Sequence, residues 1–230
     1  RTGIAYPKLN VKLCGAYAGL SDSYDGATHQ DVMDLAVMRA MPNMVVVAPA
    51  DDLQTRKAVF AAAERTGPVY LRLSRAEAPR TTSEDAPFEI GKAQVLREGS
   101  DVALISTGTT LHLALDAADK LGEGGTHARV INMHTIKPLD ENAVIAAARE
   151  THGIVTIEEH SIIGGLGGAV AEVLARSCPT PIQMVGIEDA FAESGGYQEL
   201  LTRYGLTVYS VCEKAKRVVR PDKAQGRKHG

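Results

Sequence analysis

The chain has 230 residues, with 25 Lys and Arg against 28 Asp and Glu, a formal charge of −3. That length suits one large domain or two modest ones, and the missing basic surplus argues against nucleic acid as a partner. Hydrophobic residues at 44% supply a core and exclude global disorder, and no apolar run reaches the roughly 18 residues of a membrane span, so no membrane partner is expected.

In chain order, short apolar runs alternate with helical stretches. A strand is predicted over 11–15, with Cys14 inside it. A Gly-containing loop follows, and Thr28 with Asp31 reads as a capping pair for a helix carrying Val32, Leu35 and Met38. A strand over 44–48 precedes Asp51 and Gln54, a second capping pair ahead of Ala58 to Ala63. A third strand, 69–73, ends in Ser74-Arg75. The stretch 76–87 is aperiodic, with two prolines and several charges, and reads as a linker. Beyond it, strands are predicted over 102–106, 128–133, 154–158 and 182–186. Asp140 opens a helix over 141–149, and the glycines at 164–168 open another over 169–176. Runs of Val, Ile and Leu alternating with helices predict an α/β protein of two three-layer α/β/α units with mainly parallel sheets. The first unit is expected to be incomplete at its N-terminus, because three strands would leave one flank of the sheet uncovered and the chain opens Arg1-Thr2-Gly3 without an initiator methionine. The expected division is a first domain over 1–80, a linker over 81–87, a second domain over 88–220 and a disordered tail over 221–230.

Four groups of residues could carry chemistry. In Asp25-Gly26-Ala27-Thr28-His29-Gln30, an imidazole in the first turn of a helix would be held neutral by the helix dipole and could bond a substrate hydroxyl; the same residues equally suit a plain cap and a surface histidine. Arg75, after a strand, would meet a phosphate with two parallel donors at the ligand-binding edge of a sheet, or would simply be solvated. The run Gly164-Gly165-Leu166-Gly167-Gly168 lacks the third glycine of a dinucleotide fingerprint and is better read as close helix packing. In Glu158-Glu159-His160, neighbours on a strand point to opposite faces, so the three cannot converge on one metal; a strand end at a ligand edge or an interface is expected. Cys14, Cys178 and Cys212 are odd in number and far apart, which points to a reducing, cytoplasmic location.

Taken together, Ala18-Gly19-Leu20, Asp25 to Gln30, Arg39-Ala40-Met41-Pro42-Asn43-Met44, Pro49-Ala50-Asp51 and Gly67 to Arg75 resemble the pyrimidine-binding domain of transketolases. Gly108, Lys137-Pro138-Leu139-Asp140, Glu158 to Gly167 and Glu193-Ser194-Gly195 resemble the transketolase C-terminal domain. The likeness runs from residue 1 to about 220 and is closest in form to the C-terminal subunit of split transketolases.

The resemblance implies a thiamine-diphosphate-dependent transferase that moves a two-carbon ketol unit from a ketose phosphate to an aldose phosphate. It implies that His29 lies beside the coenzyme's thiazolium as catalytic and cofactor-binding residue, that Asp25 reads a sugar hydroxyl, and that Arg75 grips the terminal phosphate. Tyr17 stands where the family usually has a substrate-binding histidine. The activating glutamate, the ring-stacking aromatics, the diphosphate motif and the magnesium or calcium site are expected outside this chain. The implied partner is a transketolase N-terminal subunit, in a dimer of heterodimers, and the isolated chain is expected to be inactive. Deoxyxylulose-phosphate synthase, a two-oxoacid dehydrogenase component and a non-catalytic assembly subunit are the alternatives.

Overall fold

The computed structural model describes residues 1–219; the expected tail over 221–230 lies outside the described residues. The first half builds β1 (Lys12–Gly15), α1 (Asp34–Ala40), β2 (Val45–Val47), α2 (Asp52–Glu64) and β3 (Val69–Arg72). The second half builds β4 (Gln94–Arg97), β5 (Val102–Ser106), a single 3₁₀ turn (Gly108–Thr110), α3 (Leu111–Glu123), β6 (Ala128–Asn132) and β7 (Thr135–Lys137). It continues with α4 (Glu141–Glu150), β8 (Ile154–Ser161), α5 (Leu166–Ser177), β9 (Ile182–Ile187), α6 (Tyr197–Arg203) and α7 (Val208–Val219).

The strands form two mainly parallel sheets, as the α/β pattern implies. One has the order β1-β3-β2-β7, with only β7 antiparallel. The other has the order β4-β6-β5-β8-β9, with only β4 antiparallel. Strand β7 comes from the second half yet closes the first half's sheet, so the two halves are joined by strand pairing as well as by chain. The reason for the apolar runs is plain in β2 and β5, where every residue is buried.

All seven expected strands form, within a residue or two at most ends; β8 runs on to Ser161. Two strands and three helices were not expected from the sequence. The β7 segment is three residues long, and β4 is a half-buried edge strand. Helices α3 and α6 open with no side-chain cap, so the usual start signal is missing. Helix α7 shows its apolar stripe at Val211, Cys212, Ala215 and Val218, spaced for one face.

Asp51 and Asp140 cap α2 and α4 as expected, accepting from the backbone N–H of Gln54 and Ala143. Asp51 also receives the N–H and hydroxyl groups of Thr81 and Thr82, and Lys57 donates to the carbonyls of Ser83 and Ala86. The stretch 76–87 therefore has no helix or strand but is tied to α2.

Two expectations are corrected. Thr28 caps nothing: α1 starts at Asp34, its cap position is Met33, and no side chain bonds there. The backbone N–H of His29 instead bonds the Gly26 carbonyl at 2.9 Å, closing a turn. Asp31 turns back on the N–H of Met33 at 3.0 Å, a local bond that competes with helix entry. Cys14 lies in its strand but is exposed, because β1 is an edge and its outer face is open.

Candidate active site

Strands β1 and β3 are parallel neighbours, and their register continues past their ends. Leu73 N–H donates to Gly15 at 2.7 Å, and Ala18 N–H donates to Leu73 at 3.1 Å. That continuation sets Tyr17 beside Arg75. The Arg75 guanidinium stands 5.5 Å from the centre of the Tyr17 ring, a cation–π distance. It forms an ion pair with buried Asp22 and lies 3.6 Å from exposed Asp25. Its backbone N–H donates to Ser21 Oγ at 3.2 Å.

Three of the four expected site residues, Tyr17, Asp25 and Arg75, thus gather at one exposed edge. Their partner Asp22 was not foreseen, since only the β1–β3 pairing reveals that it faces Arg75. His29 sits in the same loop but bonds none of the three. It is exposed, and its Nδ1 is 3.0 Å from Thr28 Oγ1. Because it lies ahead of α1 by several residues, the helix-dipole reading of its imidazole is withdrawn. When the Thr28 hydroxyl donates to Nδ1, the proton sits on Nε2, which has no partner among the described residues. A neighbouring cavity of about 660 Å³ is lined by Asp51, Arg56, Ser74, Glu77 and Arg80 among others, and none of the four expected residues lines it. The cluster is therefore an open surface, a half-pocket rather than a closed one.

Behind this edge lies a buried charged network that sequence reasoning missed. Arg72 Nε donates to both oxygens of Asp34 at 3.0 and 2.8 Å, and Tyr70 donates its hydroxyl to Asp34 at 2.7 Å. Burial works against the Asp34 charge, but the Arg72 guanidinium and the Tyr70 hydroxyl outweigh it and hold the carboxyl below its ordinary range. Arg72 also donates to the carbonyls of Asp31 and Glu159, at 3.3 and 2.9 Å. One signal was available: Asp34 recurs on the helix face with Leu35 and Met38, where a charge needs a partner.

Glu158, Glu159 and His160 lie on buried β8 and alternate faces as the strand period requires. Glu159 bonds Leu20, Thr109 and Tyr197. His160 is held neutral by burial, with the nearby Arg72 charge opposing its protonation. The bonding fits: Ala36 N–H donates to Nε2 at 3.3 Å, while Nδ1 lies 2.6 Å from the Ser161 carbonyl. The interface expected for this triplet is internal, between β8 and residues 19–36.

The Glu158 carboxylate receives the N–H of Leu166 and of Gly167, at 2.7 and 2.8 Å, at the start of α5. A Cβ on Gly165 would come within 2.1 Å of Glu158 Oε2. The glycine run therefore cradles a protein carboxylate, the close packing expected of it, and not a phosphate. Burial pushes Glu158 from 4.5 up to about 7, although the two N–H groups oppose the shift. The folded state then keeps a proton that the unfolded chain has released. That contribution is full below pH 4.5 and is lost as pH rises through about 7. Melting curves should fall across that window relative to Glu158→Gln, by up to about 3 kcal/mol; parallel curves would refute the shift.

The fit to a coenzyme is one-sided. The polar groups present (a guanidinium, a phenol and an open imidazole nitrogen as donors, a carboxylate as acceptor) suit a hydroxylated anion and the near face of a ring. Among the described residues no group of three or more His, Cys, Asp or Glu could hold a metal ion.

Comparison with known proteins decides the family. The pyrimidine-binding domain of transketolases matches residues 1–81, and the transketolase C-terminal domain matches residues 91–211. The chain belongs to the transketolase family. It is 45% identical over 217 residues to a transketolase C-terminal section of Methanocaldococcus jannaschii, covering 93% of this chain and 68% of that one. It is 43% identical over 215 residues to a 6-deoxy-6-sulfo-D-fructose transketolase subunit of a Clostridium species, covering 94% and 67%. A solved structure described as a split gene transketolase, inactive beta4 tetramer, superposes with a TM-score of 0.90 at 47% identity, covering 95% of this chain and 70% of that one. This chain thus has the form of the C-terminal subunit of a split transketolase and spans about two thirds of its relatives' length.

Proposed function

We propose that this transketolase subunit transfers a two-carbon ketol unit from a ketose phosphate to an aldose phosphate, together with a diphosphate-binding partner subunit. The observation that carries the reading is the gathering of Tyr17, Asp25 and Arg75 at the open ends of β1 and β3. When thiamine diphosphate is bound, it supplies the carbon nucleophile that opens the ketose carbon–carbon bond. This chain's residues handle the sugar. Arg75 has five N–H donors and gives only part of them to Asp22, so the rest can meet a terminal phosphate. Asp25 accepts from a sugar hydroxyl. His29, whose Nε2 is open, would serve as the donor beside the coenzyme's thiazolium and would orient the sugar there. Tyr17 stacks on Arg75 and fixes its plane, but adds no charge.

One guanidinium against two carboxylates leaves the cluster net negative, which disfavours a phosphate. A further cation must come from beyond these three side chains: Arg56 and Arg80 line the neighbouring cavity, and the partner subunit is a second source. The test is an assay with thiamine diphosphate, magnesium, xylulose 5-phosphate and ribose 5-phosphate. The reconstituted pair should turn over and this chain alone should not; turnover by the lone chain would refute the dependence. A second reading, 1-deoxy-D-xylulose-5-phosphate synthesis, draws support from a synthase of Symbiobacterium thermophilum that is 39% identical over 93% of this chain, although the chain spans only 33% of it. Release of carbon dioxide from pyruvate would favour that reading.

A further inference from the structure

We infer that Glu159 is a positioning residue for the substrate loop: its carboxylate ties Leu20 of that loop to Thr109 and Tyr197 of the second half. This rests on the reading of Tyr17, Asp25 and Arg75 as the sugar-binding edge.

Residues 17–33, which carry Tyr17, Asp22 and Asp25, contain no helix or strand. Bonds within the loop, such as Gly19 N–H to the Asp31 carbonyl at 2.8 Å, fold it on itself, and contacts from outside set where it sits. Glu159 Oε1 accepts the N–H of Leu20 at 2.6 Å, while Oε2 accepts the hydroxyls of Thr109 at 2.9 Å and Tyr197 at 2.7 Å. Three donors from three separate parts of the chain converge on one fully buried carboxylate, where such bonds are strong. Gly19 adopts φ +61°, and a Cβ there would lie 2.5 Å from Glu159 Oε1. The loop is thus pressed onto the carboxylate as closely as a backbone can be.

The same residue also grips the other side of the cluster. The Glu159 carbonyl accepts from Arg72 at 2.9 Å, on the strand that leads to Arg75. One residue of β8 therefore fixes both the loop with Tyr17 and Asp25 and the strand end with Arg75. Tyr197 extends the hold. It opens α6 directly after the segment whose Gly195 N–H donates to Ser23 at 3.1 Å, and Gln30 bridges the carbonyls of Ser23 and Glu193. Binding groups must be held to within about 0.5 Å to work together, so loosening this hold degrades sugar binding without touching the sugar.

The test uses Tyr197→Phe, which removes one hydroxyl and keeps the ring, in the complex of this chain with its partner subunit. The expected result is faster amide exchange over residues 19–26, KM for the sugar phosphate up about fivefold, kcat within about twofold and Tm within about 2 °C. A purely structural role would lower Tm and leave KM alone. Arg75→Ala is measured beside it. If Arg75→Ala raises KM while Tyr197→Phe changes neither KM nor exchange, the positioning role is overturned and the sugar-binding edge stands. If Arg75→Ala leaves KM unchanged, the edge itself is misassigned, and the role of Glu159 falls with it.

Discussion

Arg75→Ala in the assembled enzyme should raise KM for a phosphorylated ketose by about ten- to a hundredfold, the loss of a charge-assisted contact of roughly 1.5–3 kcal/mol. Two features of the site shape the effect. The Arg75 side chain is 56% exposed, so added salt should shrink the difference between wild type and variant. Its partner Asp22 is only 4% exposed, so deletion also strips a buried carboxylate of its counter-charge. Water can reach Asp22 through the space that Arg75 leaves, so the accompanying loss of stability should be small. Arg75→Lys separates the two roles. It keeps a positive charge beside Asp22 but loses the planar fork and the stacking on Tyr17. KM should rise by an intermediate amount with Tm unchanged. Steady-state kinetics on donors with and without the terminal phosphate give the check: Arg75 leaves the site if both variants bind both donors as the wild type does.

The second large effect concerns stability. Arg72→Met should destabilise the protein by about 3–5 kcal/mol, because it leaves the Asp34 carboxylate buried without its counter-charge, beside only the Tyr70 hydroxyl and the His160 imidazole at 4.0 Å. For a chain of this size that is a fall in Tm of about 6–20 °C. Arg72 also holds the carbonyls of Asp31 and Glu159, so its loss frees the contact between β3 and β8. A double variant, Arg72→Met with Asp34→Leu, removes both charges and should recover much of the loss. Urea unfolding of the two variants against wild type measures this directly. A loss below about 1 kcal/mol for Arg72→Met would mean that water already screens the pair.

Arg72 and Arg75 show how far local reading carries. Both sit in one short motif, Leu71-Arg72-Leu73-Ser74-Arg75, whose local pattern puts Arg72 on the strand and Arg75 past it but does not say what either meets. Three-dimensional pairing separates them: Arg72 is still on β3, turned toward α1 and β8, while Arg75 lies past the strand on the open edge. Thr28 gives the opposite lesson. A hydroxyl three residues before an acid is a sound capping signal, but the turn at Gly26 to His29 and the Asp31 bond to Met33 took those groups first. Glu158, Glu159 and His160 were legible as alternating faces of a strand. What each faced was not, because most of their partners lie 38 to 139 residues away or in the next helix.

The amino-acid order by itself determined the types of the buried strands and of the capped helices, since a strand buried on both faces must be an apolar run and a helix that opens on Asp51 or Asp140 satisfies its first amides locally. The resemblance of its motifs also placed it in its family. Tertiary structure alone decided that β7 joins the first half's sheet, that Asp22 meets Arg75, and that one glutamate of β8 bonds Leu20, Thr109 and Tyr197. Those contacts depend on which distant strand ends become neighbours, and no local period or cap encodes that.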